Sequence, residues 1–377
     1  MVQITDNPLL LLPALFALAF IVQMVYYLGI YSAIVFYRDK SQAPNQYPPV
    51  SVIICAKNEE VNLERHLPLI LEQDYPEFEV VVVNHGSADD TDMVLTRYQN
   101  QYGHLKFTEL QRDQKFNHNK KLAVALGIKK ASYEWLLFTD ADCYPAGRNW
   151  IRSMAGRFDQ NTSLVLGYGG YEAQGGWLNK LIRLDTLTIA LQYFSYALRG
   201  IPYMGVGRNL AYRKSLFFNN KGFAGHYHLQ SGDDDLFVNQ TAHKHNTRIQ
   251  INQEAKIISK PHQSFDRWFF QKKRHLTTSP HYKKQSRFLL LTEVFSRLAF
   301  YGAFVLSLVY WPEGYPFLLT IFGIRLMLQI FDYKSFMNRV GEKNLLLLVI
   351  FYDILLPFIN FMGIISNKIA SNNTKWT

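Results

Sequence analysis

The chain has 377 residues, a formal net charge of +10 and two cysteines, Cys55 and Cys143. That length allows roughly two soluble domains, or one domain plus membrane spans. The cysteines lack zinc-ligand spacing and offer no disulfide framework, which points to a reducing compartment. The basic residues flank apolar runs instead of forming one polybasic tail, so the charge fits a membrane surface better than nucleic acid.

From about Pro8 to Tyr37 the sequence is nearly continuous apolar, with Gln23 but no charge. This is long enough for a bilayer core of ~30 Å. It has no basic leader and no clear small-residue cleavage site, so an anchor is expected instead of a removed signal peptide. Arg38 and Lys40 follow directly, which places the N-terminus outside and the following segment in the cytoplasm. Residues 41–49 read as a polar, proline-bearing linker.

An alternating pattern of strands and helices begins at Val50. Strands are expected at 50–56, 79–84 and 105–109, with a further strand ending at Asp140. Helices are expected at 59–73, from about 89–91 onward, and at 120–131. Such alternation argues for a mostly parallel sheet covered on both faces. The strand 135–140 ends in Asp140-Ala141-Asp142. Ligands of open α/β sheets collect at the carboxyl ends of strands, and paired carboxylates there offer hard oxygen ligands to magnesium or manganese.

After Leu164 the pattern loosens. Residues 175–198 are apolar and aromatic, charged only at Lys180, Arg183 and Asp185. A buried helix and a helix lying at the bilayer interface are both open readings. Residues 264–275 are aromatic and basic and suit the same interface. Apolar runs at 288–311, 315–331 and 345–365 close the chain. The loop after the first run has no basic residue, whereas Lys334, Arg339 and Lys343 follow the second. The expected topology is four spans, both termini outside and a cytoplasmic catalytic region. Glu293, Arg297, Arg325 and Asp353 fall in or beside these runs. They are expected to face the helix bundle or headgroups, with a substrate pathway as the sharper alternative. His226, His228, His243 and His245 have no familiar zinc spacing.

Taken together, these motifs resemble the family-2 glycosyltransferases, in particular membrane-embedded members using nucleotide-activated sugars. The resemblance covers about 49–275. Residues 50–60 are similar to the opening strand and Asn-Glu turn, and 84–91 stands where the family has its acidic turn. Lys120-Lys121 is similar to a basic pair, Asp140-Ala141-Asp142 to the metal motif and Gly207–Tyr212 to a loop near the acceptor. Gly232-Asp233-Asp234-Asp235-Leu236 is similar to the acidic motif carrying the base, and Gln271–His275 to a Gln-X-X-Arg-Trp motif.

The resemblance implies a Rossmann-like GT-A nucleotide-sugar-binding domain of class α/β plus transmembrane helices. Its boundaries would be 1–40 for the N-terminal span and basic flank, 41–275 for the catalytic domain and 276–377 for a domain of about three spans. It implies Asp234 as general base and Asp142 with Asp140 as ligands of Mg2+ or Mn2+. Substrate contacts would come from Ala56, Asn58, Glu59, Asn84, Lys120, Asp140, Asp233, Gln271 and Arg274. The partners implied are a UDP- or GDP-linked sugar, a lipid or glycan acceptor and membrane lipids, in a bacterial inner membrane. Two positions depart from the pattern. Asn84-His85 replaces an acidic pair near the nucleotide base, and His275 replaces a Trp that lies near the acceptor in processive synthases. The expected activity is inverting sugar transfer. The alternatives are a processive polysaccharide synthase and a catalytically silent nucleotide- or partner-binding scaffold.

Overall fold

The computed structural model describes residues 11–38, 46–110 and 120–369, with side chains to residue 367. Lys40, Pro8 and most of the expected linker lie outside the described residues. The strands begin where the Val and Ile runs begin: β1 (Val50–Ala56), β2 (Phe78–Asn84), β3 (Leu105–Glu109) and β4 (Trp135–Asp140). In β1 and β2 nearly every side chain is buried. Such continuous apolar runs suit parallel strands covered on both faces. Between them lie α3 (Glu60–Leu71), α4 (Thr91–Gln101) and α5 (Lys120–Lys130).

The main sheet has seven strands in the order β3-β2-β1-β4-β8-β6-β9, completed by β6 (Leu164–Gly167), β8 (Leu210–Arg213) and β9 (Thr247–Gln250). β1 pairs in parallel with both β2 and β4. The chain therefore runs outward from β1 to β3 and returns to the other side of β1 at β4. A ligand crevice is expected at such a reversal, outside the carboxyl ends of the strands. β8 is antiparallel to both of its neighbours, so the sheet is mixed in its second half. The reversal brings the start of β8 to the edge where β4 ends. A second sheet joins β5 (Cys143–Pro145), β10 (Ile257–Ser259) and β7 (Gly169–Tyr171).

Alternate side chains of β1 enter different cores. Val52 and Ile54 pack with α3, α4 and α6 (Trp150–Ala155) on one face. Ile53 packs on the other with α5 and α7 (Trp177–Leu198), in a core that also holds Phe336, Tyr352 and Tyr27. Gly127 permits this close approach of α5, since a Cβ there would lie 2.8 Å from Ile53 Cγ2.

Among the described residues, four helices are long and apolar enough to cross a membrane. The first combines α1 (Leu11–Met24), a π-helical stretch (Val25–Tyr31) and α2 (Ser32–Phe36). The others are α11 (Lys284–Tyr310), α12 (Tyr315–Val340) and α13 (Leu348–Ile369). Lys334 and Arg339, expected in a loop, lie within α12, which runs past the apolar stretch. Arg339 Nη2 donates to the carbonyls of Val35 (3.0 Å) and Tyr37 (2.7 Å) at the end of α2. Basic groups near such a terminus satisfy its last carbonyls.

The four charged residues of the apolar runs face one another inside the bundle. Asp353 accepts from Arg325 at 2.6 Å and forms an ion pair with Arg297 at 3.1 Å, and Arg297 also meets Glu293 at 2.8 Å. Gln23 Oε1 accepts from Arg325 at 2.9 Å. Burial of such groups is tolerated only with this degree of pairing.

Of the two open readings for 175–198, the structure shows a buried helix. On α7, Arg183 pairs with Glu342 at 2.7 Å, and Asp185 pairs with Lys272 at 2.6 Å. Glu342 lies between α12 and α13, and Lys272 lies on α10 (Phe265–Leu276). Tyr352 of α13 also donates to Asp185 Oδ1. The sheet and the helix bundle thus share one core and several buried charge joints.

Candidate active site

The register of β1 sets the floor of the site. Cys55 lies opposite Asp140 and Ala56 opposite Asn84. A cleft at this edge is lined by Cys55, Lys120, Asp140, Gly207, Asp233 and Asp234 among others. Residues from five separate stretches of chain therefore meet where the strand order reverses.

Lys120, at the start of α5, holds two of the carboxylates. Its Nζ is 2.6 Å from Asp140 Oδ1 and 3.6 Å from Asp233 Oδ2. Burial opposes its charge, but Asp140 and Asp233 more than compensate and raise it well above the usual lysine range. For Asp140, burial raises the pKa, but Lys120, Arg208 and Arg274 outweigh it and hold the carboxyl below its ordinary value. Asp142 is shifted the other way, by burial and then by the charge of Asp140.

Asp140, Asp142 and Cys143 each offer a ligand atom, all within 4.8 Å of one another. Burial and the two carboxylates push the Cys143 thiol far above its ordinary value, and its Sγ lies 2.8 Å from Ser259 Oγ. Its soft sulfur suits magnesium or manganese poorly, which leaves two carboxylates as the donor set. Hard oxygens of this kind fit magnesium or manganese, which take one or two carboxylates plus substrate phosphates.

Asp234 is fixed by the backbone. Its Oδ2 accepts from Gly207 N–H at 2.7 Å, and its Oδ1 from Asp235 N–H at 2.7 Å, where it caps α9 (Asp235–Thr241). The antiparallel β8 makes this possible by bringing Gly207 to the cleft. Gly232, before the acidic run, has φ 101°, and a Cβ there would meet Leu236 Cδ1 at 2.4 Å. Only glycine makes that turn comfortably.

The other expected contacts divide by exposure. Asn58 is exposed with φ 57°, and its Oδ1 accepts from Ala88 N–H at 2.8 Å. Glu59 is pushed up to about 7, first by burial and then by Asp142, Asp140 and Asp89, against the pull of Asn62. Ala56 and Asn84 are buried. The Ala56 carbonyl accepts from His85 N–H at 2.8 Å, and Asn84 Oδ1 accepts from Ser87 N–H at 3.3 Å. Both hold the turns that present their neighbours. On α10, Gln271 Oε1 accepts from Tyr171 OH at 3.3 Å. Arg274 Nε is buried and has no hydrogen-bond partner among the described residues. A donor left in that state suits an anionic ligand.

Sequence reasoning set two cations, Arg208 and Lys121, within motifs but gave neither a role at the site. Arg208 lies 4.5 Å over the Tyr171 ring and bears on Asp140 and Asp142. Its signal was the Gly-Arg-Asn of 207–209, where Asn209 proves structural, bonding Tyr168 O, Ala255 O and Trp150 Nε1. Lys121, fully buried, donates to the carbonyls of His226 (2.6 Å) and Leu229 (2.7 Å). It fastens the segment that leads into Asp233. The four histidines form no metal cluster among the described residues.

The curated poly-beta-1,6-N-acetyl-D-glucosamine synthase of Staphylococcus epidermidis is 29% identical over 140 residues, 36% of this chain and 32% of that protein. The glycosyltransferase AglE of Haloferax volcanii is 34% identical over 106 residues, 28% of this chain and 33% of that protein. The matched segment thus spans about a third of these relatives' length. A mannosyltransferase from Pyrobaculum calidifontis, solved with GDP-Man and Mn2+, superposes with a TM-score of 0.57 at 18% identity. The superposition covers 91% of this chain and 97% of that one, and it shows a shared GT-A fold. Residues 51–224, which hold most of β1, all of β2 to β4, Lys120, Asp140, Asp142 and Arg208, match the model of glycosyl transferase family 2; this region is a family-2 glycosyltransferase domain.

Proposed function

We propose that this glycosyltransferase moves a sugar, with inversion, from a UDP- or GDP-linked donor to a lipid or envelope-glycan acceptor at the inner leaflet of a bacterial membrane. The observation that carries this reading is the single cleft joining Asp140, Lys120, Asp233 and Asp234.

Asp234 takes the proton of the attacking acceptor hydroxyl, its carboxylate held in place by Gly207 and Asp235 N–H groups. Its place on the lining of the cleft supports this role. The leaving diphosphate gathers negative charge, and Arg274, with its unpartnered Nε, is placed to meet it. Lys120 and Arg208 add cationic field on the same side. Asp140 and Asp142 would hold the divalent ion, which supplies Lewis-acid charge next to the diphosphate. Asn58 and Glu59 would contact the nucleotide. The four apolar helices hold this cleft beside the bilayer, with the catalytic domain cytoplasmic.

The polymerising synthase relatives favour a second reading, processive synthesis. Against it stands His275 in place of the aromatic residue.

The test is nucleoside diphosphate release by detergent-purified protein across UDP- and GDP-linked sugars, with membrane lipid extract as acceptor. Manganese, magnesium, chelator and Asp234→Asn form the arms. GDP-mannose with manganese leads the panel because the Pyrobaculum calidifontis structure contains both. Ion-dependent release lost in the variant, with one sugar added to lipid, supports the reading. A long polymer supports the synthase, and release unchanged in Asp234→Asn removes Asp234 as the base.

A further inference from the structure

The acidic motif holds a third carboxylate, Asp235, that the chemistry above does not use. It is 8% exposed and forms no ion pair among the described residues. Its Oδ1 accepts from Leu236 N–H at 2.7 Å, within its own helix. Its Oδ2 meets two hydroxyls, Tyr282 OH at 2.7 Å and Thr278 Oγ1. Both belong to the connection between α10, which carries Arg274, and α11, the first apolar helix after the catalytic region.

Thr278 faces two acceptors, Asp235 Oδ2 and the His275 carbonyl. Thr278 has one hydroxyl proton, and its Oγ1 also lies 2.8 Å from the His275 carbonyl, which can only accept. With that proton on the carbonyl, the contact between Thr278 Oγ1 and Asp235 Oδ2 is satisfied only by a proton on Asp235. The chain of bonds then runs from Tyr282 to Asp235 to Thr278 to the His275 carbonyl, each donor used once. The surroundings agree. Lys121, on the facing α5, directs its ammonium to the His226 and Leu229 carbonyls. Burial and then the charge of Asp234 push Asp235 up to about 7, against the pull of Thr278 and Tyr282.

We propose that Asp235 is carried as a neutral acid and is a positioning residue: it clamps the helix capped by Asp234 to the α10–α11 connection, and so sets the general base against Arg274. A neutral Asp235 also spares Asp234 a second full charge on the adjoining residue. The proposal rests on the reading of Asp234 as the base.

The test compares Asp234→Asn, Asp235→Asn, Asp235→Ala and Tyr282→Phe in the full chain, with kcat and donor KM measured separately. Asn is isosteric with a neutral acid and keeps one donor for Thr278. Asp235→Asn is expected to hold kcat within about threefold of the parent, while Asp234→Asn loses about 10³-fold. Asp235→Ala is expected to lose about 10²-fold in kcat with donor KM little changed, as misplaced catalytic groups do. Tyr282→Phe, which keeps the ring, loses severalfold in kcat and guards against a folding failure in Asp235→Ala. Asp235→Asn as inactive as Asp234→Asn would show that Asp235 acts as an anion and overturn the proposal. So would full kcat in both Asp235→Ala and Tyr282→Phe. Full activity in Asp234→Asn would instead overturn the base assignment alone.

Discussion

Lys272 Nζ and Asp185 Oδ1 meet at 2.6 Å in the interior between α7 and α10, with both side chains under a tenth exposed. Lys272 sits between Gln271 and Arg274, so the ion pair fixes the rotation of the helix that presents them. Removing one partner of a buried pair costs about 3–5 kcal/mol, whereas replacing both with apolar groups of similar volume is often neutral. Asp185→Ala is expected to lower the melting temperature sharply, and Asp185→Leu with Lys272→Met to recover most of it. Melting in detergent checks this; a single variant as stable as the parent would count against the joint.

The metal assignment has a readout that needs no substrate. An ion that binds only the folded protein stabilises it by about 2.7 kcal/mol at a hundred times its dissociation constant. Manganese is therefore expected to raise the melting temperature of the parent protein, and to do so much less in Asp142→Asn. An equal rise in both would remove Asp142 from the ligand set.

His226 gives the pH dependence a sign. Burial and then Lys121 push its imidazole down to about 4. The unfolded chain titrates near 6.5, so between about 6.5 and 4 it binds more protons than the folded state. The contribution to stability is whole above pH 6.5 and is lost as pH falls towards 4, on the order of 3 kcal/mol in all. Melting temperatures from pH 7 to pH 5 should fall less steeply in His226→Asn than in the parent. Parallel slopes would refute the assignment.

Within the bundle, Asp353 neutralises both Arg297 and Arg325. Asp353→Asn leaves the buried Arg325 short of an anion, while Arg297 keeps Glu293, and a cost of about 3–5 kcal/mol is expected. The measurement is the yield of monodisperse protein in detergent and its melting temperature. Arg325→Met with Asp353→Leu should fare better than Asp353→Asn.

Much of the catalytic fold is legible in local pattern. Val50–Ala56 and Leu105–Glu109 form strands over the ranges that their β-branched and apolar runs predict, and the strand ending at Asp140 ends there. The meeting of Asp140 with Lys120 and of Asp234 with Gly207 follows once the order of motifs is placed on an open sheet. The pairings that hold the parts together leave no such trace. Asp185 meets Tyr352 across 167 positions and Arg183 meets Glu342 across 159. No periodicity links residues so far apart. The burial of α7 was likewise ambiguous, because its aromatic and basic residues suit an interface until partners for Arg183 and Asp185 are seen. Lys334 and Arg339 misled as loop residues because α12 continues beyond its apolar stretch.

The joints along α7 and α12 have a further consequence. If the catalytic region were severed directly after α10, Arg183 and Lys256 would lose Glu342, Asp185 would lose Tyr352, and Asp235 would lose Tyr282. The cut surface would be strewn with widowed charges and raw aromatic rings such as Tyr168 and Phe194, which pack on Phe336. Sugar-transfer machinery of this kind is not a soluble head that happens to be tethered. It is welded to its anchor, and neither half is a spare part that evolution or an engineer could graft elsewhere unchanged.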